Sequence, residues 1–502
     1  MSILTAKMLE PHTRRDGSIS LTAVYDGSIE EVDGTQLYGS KASKEEIALY
    51  EDLTAHRWPL PGEIRCRPEE LKTLSSIETN IIRYLRRYIW LRNPKEYTAI
   101  ADWVISTYFR DQFYYAPLLI FDGLTTSGKS TAIYAISQIC YRGELFDSAS
   151  GPAIAREIED YGTTILLDEI LDSLAGDRGT DLFTMMKSAF GKEGTWVRAD
   201  PKGRKNYRYR TYTHIALSIK GDTLPEDLYN RSIRINMTAA PPHITLADVF
   251  NWHEDDRGRD ESPDTIRTDL YRLKAHSAAW PADSTDLPIA KKTISFQAWR
   301  REATRDVTQK CENGQWLYAY VNGLPDDSPI IRARDRNIAN TIYAVGLATG
   351  SGTDVISVIV DNAISQRETT LDTPEALTFV AMLELIDEQW TTYKGISPKI
   401  TPELFRQFAA RISTSDIAER HNAILADIGN AARDPVPTRT VTAKLNAMGF
   451  AYGRSGGHGG NRSWLKPDDT YFQGLFVRYL RMFCPERVAD FVPILVNKTE
   501  KS

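Results

Sequence analysis

Apolar positions along the chain follow two periods, and their succession predicts a mixed α/β protein. Residues 115–121 are a continuous apolar run, the pattern of a strand buried on both faces. Residues 129–140 follow with helical spacing at Ile133, Ile136 and Ile139. Runs at 163–167 and 213–219 read as further buried strands, and 232–237 alternates as another. Upstream, Leu71, Leu74, Ile77, Ile81, Ile82, Leu85 and Ile89 predict a helix over 68–91. Asn93-Pro94 breaks it, and 97–109 reads as a second helix leading into the first buried strand. Arg83, Arg86 and Arg87 on the earlier helix read as a solvated polar face rather than a DNA contact. Residues 1–65 offer short alternating stretches such as 19–25 that read as short strands, punctuated by Gly17, Gly27, Gly34 and Gly39, and no motif.

After residue 240 helices dominate, at 265–280, 296–310, a run ending at Leu347, 376–390, 401–411 and 414–425. A short helix over 438–448, a hairpin over 453–465 with a glycine-rich basic tip, and a helix over 471–483 complete the pattern. Helices, then a helix opened by Thr438, then such a hairpin is the layout of a winged helix. Arg439 and Lys444 would lie on its recognition helix, with Arg454, His458 and Arg462 on the wing. Protein docking is the other use of that layout.

Length and composition bound this picture. At 502 residues the chain exceeds one core, and about three domains is the prior. Hydrophobic content of 42% and charged content of 25% are ordinary for a soluble globular protein. A net charge of −6 means that any nucleic-acid surface must be a local concentration of basic residues. Four cysteines, at 66, 140, 311 and 484, form no C-x-x-C pair, which suits a reducing compartment and argues against zinc or disulfides. With no apolar leader and no run of membrane-spanning length, the expectation is a cytoplasmic protein that does not enter membranes.

The candidate chemistry sits at the ends of the buried strands. Gly123, Leu124, Thr125, Thr126, Ser127, Gly128, Lys129 and Ser130, followed by Thr131, spell G-x-x-x-x-G-K-S between a strand and a helix. Such a loop cradles phosphates with backbone N–H groups and a helix N-terminus, which predicts an ATP site. Lys129 would reach the outer phosphates, and the Ser130 hydroxyl would help hold Mg2+. About forty residues on, the run at 163–167 ends in Asp168 and Glu169. That strand is expected beside the loop's strand, with Asp168 holding Mg2+ through water and Glu169 polarising the attacking water. Residues 195–210 read as a hairpin around the turn Asp200-Pro201-Lys202-Gly203. Lys202, Arg204 and Lys205 crowd its tip, with Arg198, Arg208 and Arg210 along its arms, a candidate phosphate-binding surface. A solvated edge guarded by lysines is the alternative. The charge-rich patch from His253 to Asp260 reads as a solvated loop, not a metal site.

The order of these parts resembles the AAA+ ATPase core, and within it the helicases related to the minichromosome maintenance replicative helicases. The likeness is strongest to self-loading replication helicases of plasmids, phages and cassette-type mobile elements. It rests on 114–130, 148–157 and a leucine–proline element at 224–235 that ends in an arginine. It covers about 97–240 well and 325–465 more loosely. The resemblance implies that the hairpin grips DNA in the channel of a ring, a hexamer of identical chains. It implies that Arg231 is an arginine finger acting on a neighbouring copy's ATP, and that Arg334, in the element at 330–337, is a second phosphate-sensing arginine. Ser218 falls near the sensor position, where the family has an asparagine. The resulting expectation is an AAA+ P-loop core at 96–240 after a mixed region at 1–95. A helical lid and linker at 241–372 and a helical segment with a winged helix at 373–502 complete it. The function expected is ATP-dependent DNA unwinding or translocation in the replication of a mobile element. An ATP-switched DNA-binding regulator is the alternative. A helicase fused to a primase fits less well, because the N-terminal region is short and has no acid pair spaced for polymerisation.

Overall fold

The N-terminal region forms an antiparallel sheet of β1 (Met8–Thr13), β2 (Ile19–Tyr25) and β3 (Ser28–Val32), with β2, the alternating stretch at 19–25, in the middle. Polar as well as apolar side chains are turned inward in it. His12 lies 3.1 Å from both Ser20 Oγ and Thr22 Oγ1, and Ser20 Oγ donates to Glu31 at 2.8 Å. Glu10, also buried, accepts from the Tyr141 hydroxyl at 2.5 Å and from Arg142 Nε at 3.1 Å. A buried carboxylate so paired fastens the N-terminal sheet to the larger sheet of the same unit.

The computed structural model describes residues 2–14, 18–39, 42–55, 63–168, 177–199, 206–220, 224–249, 259–280, 294–312, 333–371, 374–392, 399–427, 435–448, 450, 452–454, 463–465, 476, 479, 480, 484 and 490. Two units emerge from it, Met1–Val307 with Ala333–Asn362, and Thr308–Arg332 with Ala363–Ser502. The first is built on β4 (Leu118–Asp122), β5 (Gly143–Phe146), β6 (Thr164–Leu167), β9 (Ile215–Ile219) and β10 (Ser232–Asn236). Between β6 and β9 the chain forms a separate antiparallel hairpin, β7 (Thr195–Ala199) and β8 (Asn206–Arg210). The five strands make one wholly parallel sheet in the order β10-β4-β9-β6-β5. Every residue of β4, β6 and β9 is buried, as their unbroken apolar runs require of strands covered on both faces.

The sheet corrects one expectation. The acid-bearing strand β6 does not lie beside the loop-bearing strand β4, because β9 pairs with both and separates them. An apolar run reports burial on two faces and is silent about which strand lies across either edge. Helices flank the sheet. Asn93 caps helix Pro94–Tyr108, accepting from the Lys95 N–H, and every side chain from Tyr97 to Tyr108 is buried. Helix Leu74–Tyr88, capped by Thr73, packs beside it.

The second unit gathers helices Pro374–Thr391, Pro402–Ala409, Thr414–Asp427 and Thr438–Ala447 around Phe379, Phe405, Phe408, Val441, Leu445 and Phe450. A short antiparallel pair, β11 (Tyr452–Arg454) and β12 (Ser463–Leu465), follows. The helix expected over 471–483 lies outside the described residues except at Phe476, Tyr479 and Leu480. Among the described residues no helix is long and apolar enough to cross a membrane, and no group of three or more His, Cys, Asp or Glu side chains could hold a metal ion.

Candidate functional site

The loop after β4 is shaped by three backbone requirements. At Gly123 a Cβ would stand 2.4 Å from the Met237 carbonyl oxygen and 2.6 Å from Ser127 Oγ, so only glycine fits. Gly128 takes φ +89° and caps helix Lys129–Ser137, a conformation that glycine adopts freely. Thr126 also lies in the left-handed region, at φ +69°, where a side-chain-bearing residue is strained by about 1–2 kcal/mol. Two left-handed residues so close together curl the backbone into a concavity of the kind in which successive N–H groups converge on an anion.

Lys129 Nζ donates to the Gly123 and Leu124 carbonyls, 2.8 Å each, and so ties the end of the loop to its beginning. Ser127 Oγ is buried and has no hydrogen-bond partner among the described residues. Thr125, Thr126 and Ser130 are exposed, and Thr131 is half-buried in the first turn of the helix. An orphaned hydroxyl inside a loop of this curvature, at a helix N-terminus, fits a phosphate-bearing ligand.

Parallel pairing brings the second group of residues to the same edge. Ser218 on β9 is in register with Phe121 on β4, and Leu217 with Leu167 on β6, so Asp168 follows level with Ser218. Ser218 Oγ donates to Asp168 Oδ1 at 2.5 Å, and Ser130 Oγ donates to the same oxygen at 3.2 Å. Two hydroxyls and a carboxylate converge there, an all-oxygen set that suits Mg2+. His214, just before β9, is no candidate base. Burial, and then Arg110, hold its imidazole down at about 3, and it is neutral beside Ser106.

The sequence reading missed the residues that brace this edge. Asp122, the last residue of β4, pairs with Arg234 on β10, whose backbone N–H donates to Asn362 Oδ1 at 2.6 Å. The Met237 N–H donates to the Asp122 carbonyl at 2.7 Å, which brings the Met237 carbonyl over Gly123. A signal existed. An acid and a base each embedded in an apolar strand need a partner, and these two satisfy one another.

Other expected residues lie elsewhere. Arg231 precedes β10, and its carbonyl accepts from the Leu118 N–H, the first residue of β4. It therefore stands at the opposite edge of the sheet from the loop. Its guanidinium donates to the Asp227 carbonyl and lies 3.6 Å from that residue's carboxylate. Arg439 is exposed on helix Thr438–Ala447, and Lys444 on the same helix is paired with Glu375 at 2.6 Å. Arg334 falls in helix Ala333–Thr349 and Arg454 in β11, with their side chains outside the described residues. Glu169, Lys202, Arg204, Lys205, His458 and Arg462 also lie outside them.

No protein-family model matches the chain, and no curated protein does. Among solved structures, one titled "SCCmec type IV Cch - active helicase" is similar at 12% identity and TM-score 0.30, over 93% of this chain and 94% of that one. Another, "The A form apo structure of NrS-1 C terminal region-CTR", is similar at 11% identity and TM-score 0.26, over 71% of this chain and 88% of that one. At TM-scores this low neither likeness carries an inference about what this chain does.

Proposed function

We propose that the chain is a P-loop ATPase that assembles into a hexameric ring and uses hydrolysis to translocate along and unwind DNA. The observation that carries this reading is the meeting of Ser130, Ser218 and Asp168 beside a loop curled by Gly123, Thr126 and Gly128. Backbone N–H groups of 123–130 would bind the phosphates. Lys129 would exchange its two carbonyl partners for outer phosphate oxygens. Ser130 and Asp168 would hold Mg2+, which when bound neutralises charge on the phosphates. Ser218 fixes the rotation of the Asp168 carboxylate, and Glu169 would orient the attacking water.

Arg231 cannot serve the loop of its own chain. The two are separated by the length of β4, five residues or about 16 Å, more than an arginine side chain spans. That separation favours supply of Arg231 to a neighbouring copy, and hence an oligomer. The β7–β8 hairpin, with Arg208 and Arg210 exposed on one arm, would bind the DNA backbone together with Lys202, Arg204 and Lys205 from the sequence that joins its two strands. In the second unit, helix Thr438–Ala447 followed by β11 and β12 would be a winged helix contacting duplex through Arg439, Arg454 and Arg462. Lys444, engaged by Glu375, would have to exchange partners to join them. Arg334 would act on nucleotide from a lid helix.

Strand displacement from a forked duplex tests the reading. The chain with ATP and Mg2+ should separate the strands, and Lys129→Ala should abolish both hydrolysis and separation. Hydrolysis by the native chain without any displacement would identify an ATP-switched DNA-binding regulator instead.

A further inference from the structure

Helix Asp177–Ala189 carries an acid near one end and a base near the other, and each is engaged with a different functional part. Arg198 on β7 donates through Nη1 to Asp181 Oδ2 at 2.8 Å. Lys187 Nζ donates to Asp227 Oδ2 at 3.1 Å. Asp227 is the residue whose carbonyl and carboxylate hold the Arg231 guanidinium. The six residue steps from Asp181 to Lys187 span about 9 Å of helix, and Leu182, Met185 and Met186 between them are buried. A rigid, packed element therefore joins the arm of the basic hairpin to the arginine proposed to act in trans.

We propose that this helix couples DNA binding at the hairpin to the release of Arg231, with Asp181 and Lys187 as its positioning residues. The inference rests on the function proposed above. A phosphate arriving at the hairpin competes with Asp181 for Arg198. Loss of that pair frees the start of the helix, and the movement is passed through Lys187 to Asp227, which gives up Arg231. Both pairs are partly exposed and weak, as befits a contact that is broken and remade in each cycle. The physical requirement is a two-state element biased from both ends, which a packed helix with an ion pair at each end supplies.

The two ends have opposite signatures. Asp181→Asn breaks the hairpin pair permanently, so ATPase without DNA should rise about two- to five-fold, the range that losing one exposed ion pair permits. The stimulation by DNA should shrink by the same factor. Lys187→Met cuts the transmission, so turnover without DNA should stay at the native level while stimulation is lost. The double variant should behave as Lys187→Met does, because the break lies downstream. A general loss of folding would lower all rates together and produce neither pattern.

Turnover is measured on the full-length chain with and without a mixed-sequence single-stranded oligonucleotide, alongside its affinity for that oligonucleotide. Native stimulation in both single variants, or equal behaviour of the two, would overturn the coupling. Arg231→Ala is run in parallel to separate the two failures. If it keeps native turnover, the trans function itself fails and the coupling falls with it.

Discussion

In the proposed site Ser218 would act through Asp168 rather than directly on nucleotide. Its hydroxyl and that of Ser130 both donate to one oxygen, Asp168 Oδ1. A hydrogen bond to a charged group contributes about 1.5–3 kcal/mol, so Ser218→Ala should raise the Mg2+ concentration for half-maximal ATPase by about tenfold or more. The turnover at saturating Mg2+ should fall much less. A Mg2+ titration of the variant checks this, and an unchanged midpoint would detach Ser218 from the site. The glycines of the loop were legible in the sequence because each has a backbone reason, close approach at Gly123 and positive φ at Gly128. The partnership of Ser218 with Asp168 was not legible. It depends on β9 lying between β4 and β6, and lateral strand order leaves no trace in local pattern.

Secondary structure was readable wherever burial is apolar and continuous. Strands β4, β6, β9 and β10 and helices Leu74–Tyr88 and Pro94–Tyr108 fall where periodicity places them. It failed where burial is partial or polar. Strand β5, at the edge of the sheet, is half-buried throughout, and β1 buries Glu10 and His12 among its apolar residues. The alternating stretch at 19–25, in contrast, forms β2 as read. Helix Gly352–Leu371 was hidden by Gly350, whose φ of +96° ends the preceding helix two residues earlier. Helix packing also produced a group that no pattern announces. Glu78 and Asp102 meet between helices Leu74–Tyr88 and Pro94–Tyr108, where Thr349 donates to Glu78 at 3.1 Å and Ser351 to Asp102 at 3.3 Å. Burial, and then the Glu78 carboxyl, push Asp102 well above the usual carboxylate range, and burial raises Glu78 as well. The folded state thus holds protons more tightly than the unfolded chain. Their stabilising effect is complete below about pH 4 and is lost as pH rises through the raised folded values. Asp102→Asn, which keeps a neutral hydrogen-bonding side chain, should flatten that decline in urea unfolding measured across pH. Parallel slopes for the native chain and the variant would contradict the assignment.

At the scale of the whole molecule, the sheet holds the loop and Arg231 apart, the two parts that the proposed phosphoryl transfer would use. The loop, Ser130 and Asp168 occupy its carboxyl edge, and Arg231 stands at the amino edge, held by Asp227. Motif order makes the first set readable from the sequence. The position of Arg231 relative to its own loop becomes visible only with the pairing of Ser232 to Leu118, which fixes how far apart the two must be. The central claim is that each nucleotide is hydrolysed between two copies, one giving Lys129 and Asp168 and the next giving Arg231. Mixing Lys129→Ala with Arg231→Ala chains, each inactive alone, tests it most directly. DNA-stimulated ATPase should reappear in the mixture, because some junctions then join an intact loop to an intact arginine. A mixture as inactive as its components, or an Arg231→Ala chain that is fully active as a monomer, would contradict the account.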